Sequence, residues 1–256
     1  MIASPAPKSS ALRTVVIVLV VLVAVGAVVY YYSQKGGTVT IGTQDQVIYS
    51  GTATKDQATA LGNALKTAGY FQDLGATVLL HKGSNGTTIS FAVKDGVWNE
   101  PGKLSTFEEI AREVADSVGG LPVKLQLMDS KEDVEKTSTV GVVQLTGGDA
   151  VYYEGNATLA DGQALGQKLQ SLGYISGKGV DVFLSKHPDG TTIAFVVGDG
   201  VWNDASMVSG FETLTRSAAP SIGGLPIKML LLSTRLQKEK DETINALPAP
   251  ATPSPN

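Results

Sequence analysis

The residues best suited to chemistry or recognition in this chain stand in one run that occurs twice. Asp95-Gly96-Val97-Trp98-Asn99 recurs as Asp199-Gly200-Val201-Trp202-Asn203, and an acid follows each copy, Glu100 in the first and Asp204 in the second. An aromatic ring, an amide and carboxylates on one loop suit recognition of a sugar, a peptide or a partner protein, because the ring supplies contact area and the polar groups supply direction. The bland alternative is that the two tryptophans close the open end of a small core while Asp and Asn satisfy turn backbone groups. The candidate binding residues are therefore Asp95, Trp98, Asn99, Glu100, Asp199, Trp202, Asn203 and Asp204.

Catalysis finds less support. The chain has two histidines, His81 and His187, and they do not occupy matching positions; neither lies near a motif serine. There is no His-rich metal spacing and no convincing pair of carboxylates for acid–base work, so neither a metal nor a cofactor is expected. Cysteine is absent, which removes disulfides, thiol catalysis and cysteine metal sites. Ser105 with Glu108, and Ser209 with Glu212, have the spacing of helix capping boxes and need no functional role. Gly119-Gly120 and Gly223-Gly224 follow a helical pattern, so they read as helix stops and not as phosphate loops. Asn85-Gly86-Thr87 and Asn156-Ala157-Thr158 match the glycosylation sequon, a signal that matters only in a host that glycosylates.

The repeated run belongs to a larger duplication. Residues 47–136 recur as 151–240 at a constant shift of 104, with 40 of 90 pairs identical and no gap. Two domains of this size, each with a modest core, nearly exhaust a chain of 256 residues. In each copy the hydrophobic period runs strand, helix, strand, strand, helix, strand. Thr54 and Gln57 make a capping box; Ala58, Leu61, Leu65 and Ala68 form a helical stripe; Gly69 ends it. Asn85-Gly86, and Asp189-Gly190 in the second copy, mark hairpin turns. Phe107, Ile110, Val114 and Val118 are the stripe of a second helix starting at Ser105, and Pro220 should stop or kink its counterpart early. Short alternating segments at 38–41 and 140–145 suggest a further strand before each copy. The expected fold is α+β, two tandem ferredoxin-like βαββαβ domains, each with two helices on one face of a four-stranded antiparallel sheet.

Thr14 to Tyr32 is an unbroken apolar run preceded by Lys8 and Arg13 and closed by three tyrosines, as expected of a transmembrane signal anchor with its N-terminus in the cytoplasm. The expected organisation is a cytoplasmic tail at 1–13, a membrane helix at 14–32, repeats at 38–130 and 140–240, a linker at 131–139, and a Pro-rich disordered tail at 241–256. After residue 34 the chain carries 18 basic and 24 acidic residues, a balance of −6, which gives no footprint for nucleic acid.

Within the repeats, Tyr49-Ser50-Gly51, Ala58, Leu61, Leu65 and Ala68-Gly69-Tyr70 resemble the first strand and helix of SPOR domains, as do Tyr153, Leu165, Leu169 and Leu172-Gly173-Tyr174. SPOR domains are βαββαβ modules that bind peptidoglycan glycan strands, often behind one membrane helix. The resemblance therefore implies a cell-wall glycan partner. It does not extend to the DGVWN loop or to Gly-Gly-Leu-Pro, and it carries no binding residue onto this chain. The leading expectation is a membrane-anchored, extracytoplasmic, non-enzymatic scaffold that binds another protein of the cell envelope. Glycan binding and a small-molecule sensing ectodomain are the alternatives.

Overall fold

A computed structural model describes residues 36–100 and 102–245. They fall into two compact units divided between Val142 and Val143, with Glu154–Asn156 belonging to the first. The first unit holds strands β1 (Gly36–Ile41), β2 (Asp45–Gly51), β3 (Thr77–Gly83), β4 (Gly86–Ala92), β5 (Val123–Met128) and most of β6 (Val134–Gln144), with helices α1 (Lys55–Thr67) and α2 (Lys103–Val114). The second holds most of β7 (Ala150–Gly155), then α3 (Leu159–Ser171), β8 (Asp181–His187), β9 (Gly190–Val196), α4 (Ala205–Ala218), β10 (Ile227–Leu232) and β11 (Lys238–Ile244). Residues 134–139, read from sequence as linker, are the first part of β6.

The order of elements is the expected one, but the sheet is not ferredoxin-like. In each unit the strands lie side by side in the order of the chain. β2 pairs directly with β3 in parallel, Val47 opposite Val78, and β4 pairs in parallel with β5, Ile89 opposite Leu125. The pairs β1–β2, β3–β4 and β5–β6 are antiparallel. The second unit repeats this with β8–β9 and β10–β11 antiparallel and β9–β10 parallel. A ferredoxin-like sheet would separate the two strands of each βαβ crossover and insert a third, leaving every neighbour antiparallel. Here each helix returns the chain to the adjacent position, so the sheet is mixed. Strands that follow one another in the chain thus lie side by side, the commoner arrangement.

The expected membrane helix is also corrected. Among the described residues no helix is long and apolar enough to cross a membrane, and α4, the longest, has 14 residues. The run 14–32 lies outside the described residues, as does the expected disordered tail from residue 246 on; its first residues, 241–244, are instead the end of β11.

Both helices of each unit cover the same face of their sheet. In the first unit Val47, Val78, Leu80, Ile89, Phe91, Leu125 and Leu127 meet Leu61, Leu65, Phe107, Ile110 and Val114 in one buried cluster. An aromatic triad sits at its centre: Phe91 lies 5.0 Å from Tyr70 and 5.1 Å from Phe107 between ring centroids. The second unit repeats the triad with Phe195, Tyr174 and Phe211 at 5.3 and 5.1 Å. On the other face of the first sheet Ile48, Leu79 and Met128 form a smaller cluster.

Local signals fared unevenly. Thr54 caps α1 with Gln57 in a reciprocal box, and Thr158 does the same for α3 with Asp161. The boxes expected at Ser105 and Ser209 do not form: α2 begins at Lys103 behind Gly102, and α4 begins behind Asp204. Pro220 does not shorten its helix either. Both second helices end in a 3-10 turn, Ala115–Val118 and Ala219–Ile222, and Pro220 merely enters the first positions of the second, where no N–H is needed.

Candidate functional site

The DGVWN run builds one loop twice. Gly96 and Gly200 both take φ 88 and ψ −14, a left-handed conformation open to glycine, and each leads into a 3-10 turn, Val97–Asn99 or Val201–Asn203. The backbone bonds repeat as well. Asn99 N–H donates to Gly96 O at 2.9 Å and Glu100 N–H to Val97 O at 3.1 Å; Asn203 N–H donates to Gly200 O at 2.9 Å and Asp204 N–H to Val201 O at 3.2 Å.

The eight candidate residues divide by what holds them. Trp98 and Trp202 are partly buried, each packed against the core of its own unit. Asp95 is exposed yet engaged: it accepts from the Ser130 N–H at 3.0 Å and the Ser130 hydroxyl at 3.3 Å, so it ties the loop to the turn after β5. Those bonds, led by the Ser130 amide and helped by Lys131, hold the Asp95 carboxyl below the usual carboxylate range. Asp204 accepts from Ser206 and Met207 N–H at 2.8 and 3.2 Å as the N-cap of α4. Glu100, its counterpart, is exposed, caps no α-helix and lies 3.9 Å from the half-buried Lys103, a long contact that adds little. Asn99, Asn203 and Asp199 are exposed. Each loop thus offers an exposed amide beside a half-buried indole.

Four arrangements escape the motif reading. Asp45, 1% exposed, accepts from four successive backbone N–H groups, Asp73, Leu74, Gly75 and Ala76, at 2.6 to 3.1 Å. Asp149 stands 104 positions on. It accepts from Gly177 and Val180 at 2.7 and 2.9 Å, and the Val180 amide, with those of Gly177, Gly179 and Ser176, keeps its carboxyl below the ordinary range. The signal was there: the match at 104 extends two residues before the repeat's first aligned pair. Second, Asp73 binds the β1–β2 turn, accepting from Thr43 and Gln44 N–H at 2.7 Å each and from the Thr43 hydroxyl at 2.8 Å.

Third, Glu108 is fully buried and accepts from the Ser138 hydroxyl. Ser138 Oγ in turn accepts from Gly155 N–H at 3.0 Å, and Arg112 pairs with Glu154 at 2.9 Å. No local spacing could show this, since Glu108 and Ser138 are 30 residues apart. Fourth, Ser50 Oγ lies 3.0 Å from His81 Nδ1, on adjacent strands. That is nucleophile-to-base distance, which the sequence separation of 31 concealed. The pair occurs once: the matching positions of the second copy hold Glu154 and Ser185. Among the described residues no group of three or more His, Asp or Glu could hold a metal ion.

These units have the character of duplicated mixed-sheet α/β modules. No protein-family model matches the chain, and neither a curated protein nor a solved structure matches it significantly.

Proposed function

We propose that the two units are non-enzymatic binding modules that scaffold a partner protein of the cell envelope through their DGVWN loops. The observation that carries this reading is the pairing of an exposed amide, Asn99 or Asn203, with a half-buried indole on a loop of the same backbone geometry in both units. A rigid loop that presents a polar group beside an anchored ring loses little entropy on binding. The Asp95 and Asp204 carboxylates support the loops from within and leave the amides for recognition. Ser50 and His81 could support hydrolysis, but the duplication does not repeat them, whereas it repeats the loop.

The test places a photo-crosslinking amino acid at Asn99 and, separately, at Asn203 of the full-length chain in its own cells, with Ser84 on the β3–β4 turn as control. A discrete adduct to the same protein from both loops, absent at Ser84, supports the reading. No discrete adduct from either loop sinks it.

A further inference from the structure

The first and last strands each border one neighbour: β1 pairs with β2, β11 with β10, and among the described residues nothing pairs with their outer edges. Such an edge is a row of unused N–H and C=O groups, and folded proteins protect it, most often with charge. β11 is protected. It reads Lys238-Glu239-Lys240-Asp241-Glu242-Thr243-Ile244, and Asp241 pairs with Lys228 at 3.3 Å and Lys238 at 3.5 Å. β1 has no such guard. It reads Gly36-Gly37-Thr38-Val39-Thr40-Ile41, without one charge, and Thr38 and Thr40 are exposed. It is also held in shape, because Asp73 clamps the turn that follows it.

We propose that β1 is a self-association edge, through which two copies of the chain pair antiparallel across a two-fold axis centred on Val39. The register follows from the pleat. Residues directly opposite in an antiparallel pair share a face, so an axis through a residue keeps both helical layers on one side, and an axis between residues does not. Centred on Val39, the pairing sets Val39 against its mate and Thr38 against Thr40 of the other copy. Val39 already packs at the margin of the first core beside α1, so its mate extends that apolar surface. Threonine pairs and β-branched pairs are favourable across strands, and glycines contribute little. An axis centred on Thr38 would set Val39 against Gly37 and lose that contact. A neutral strand is also the one edge here that meets itself without like charges. The ladder is short, so association is concentration-dependent. This surface is distinct from the DGVWN loops and does not depend on their role.

The chain lacks cysteine, so Val39→Cys introduces a single thiol. Opposed residues in an antiparallel pair have Cα atoms about 4.5 or 5.5 Å apart, within the reach of a disulfide. Full-length Val39→Cys, mildly oxidised, is expected to give a disulfide-linked dimer at least ten-fold faster than Ser84→Cys on the exposed hairpin. Adding Thr38→Lys and Thr40→Lys to Val39→Cys should remove that excess, and the same two lysines without the cysteine should lower the sedimentation mass of the chain at high concentration. Cross-linking at Val39 no faster than at Ser84, or cross-linking indifferent to the lysines, overturns the proposal.

Discussion

The two units close the same turn by different means. In the first, Asp73 adopts a left-handed φ of 62 and binds Thr43 and Gln44. At the matching positions the second unit has three glycines, Gly147, Gly148 and Gly177. There the two chain segments touch directly: a Cβ built on Gly147 would lie 2.3 Å from Gly177 Cα. A carboxylate bridging two loops and a pair of glycines in backbone contact are interchangeable answers to one need. What the copies share beneath them is Asp45 and Asp149, each buried among the backbone N–H groups of the following loop. Identity can also mislead. Glu108 and Glu212 match, but Ser138, which binds Glu108, is replaced by Glu242, and Arg216 donates to Asn245 O where Arg112 meets Glu154.

The largest effect should come from the shared device. Asp45→Ala leaves four N–H groups without their acceptor, and charge-assisted bonds of this kind make the loss about 3 kcal/mol or more. Urea unfolding of the full chain should show it, and Asp149→Ala should destabilise the second unit in the same sense. If Asp45→Ala costs less than about 1 kcal/mol, the two aspartates are not the common support and the comparison fails at its root.

Next come the helix glycines. Gly62 in α1 and Gly166 in α3 match, and each faces the strand before it. A Cβ at Gly62 would lie 2.4 Å from both Cγ1 and Cδ1 of Ile41, whereas at Gly166 the nearest atom is Leu145 Cδ1 at 3.1 Å. Gly62→Ala should therefore destabilise by up to about 2 kcal/mol net, overpacking of about 1–3 kcal/mol being offset by the helix propensity of about 1 kcal/mol that alanine gains. Gly166→Ala should be near neutral, as the leucine tip shifts and alanine gains helix propensity of about 1 kcal/mol. Equal losses would mean that both helices sit equally close, and would erase this difference.

How much of this the sequence disclosed depends on range. Element types came from hydrophobic period and turn chemistry: Thr54 and Gln57 act as read, and the β3–β4 turn falls at the place Asn85-Gly86 marks, with Ser84 and Asn85 as its two turn residues and Gly86 opening β4. Strand neighbours did not. The order βαββαβ suits both a ferredoxin-like sheet and the mixed sheet observed, since periodicity reports which face is buried and not which strand lies alongside. At Ser105 and Glu108 the capping spacing was present by coincidence, and the carboxylate goes to a serine on β6. At the DGVWN loops the Trp burial followed from residue type, but the engagement of Asp95 with Ser130, 35 positions on, did not.

A smaller contrast concerns the aromatic triads. Tyr70 is buried at 1% exposure, and its hydroxyl has no hydrogen-bond partner among the described residues. Burial, with the Asp45 charge, pushes its pKa well up. Tyr174 is only partly buried, and its phenol is pushed up to about 12 by burial and by Asp149 and Asp181. Removing an unpaired hydroxyl removes its desolvation penalty, so Tyr70→Phe should stabilise by about 1 kcal/mol. Tyr174→Phe should change stability by less than about 0.5 kcal/mol. A loss at Tyr70 would show that its hydroxyl is satisfied in solution.

The subtlest test uses pH to separate the two turn closures. Thr43 N–H and hydroxyl, then Gln44 N–H, hold the Asp73 carboxyl below its ordinary range. A group whose folded pKa is depressed contributes stability that is fully present above its unfolded pKa, about 3.9 for aspartate. That contribution is lost as pH falls through the lower, folded value. The β1–β2 turn should therefore keep its protection at pH 5 and lose it progressively below about pH 4, while the Gly147–Gly177 contact has no counterpart of Asp73, its Gly177 N–H being held by the shared Asp149 instead. Asp95 and Asp149 titrate in the same direction, so the comparison must be local. Amide hydrogen exchange at Thr43 and Gln44, measured from pH 5 to pH 2.5 and corrected for intrinsic rates, should rise on acidification in the native chain. In Asp73→Gly, which removes both acceptor oxygens and keeps the left-handed φ accessible, it should already be fast at pH 5 and show little further acid dependence. A turn equally protected in Asp73→Gly and in the native chain would mean that the β1–β2 hairpin holds itself, and that the carboxylate merely rests against it.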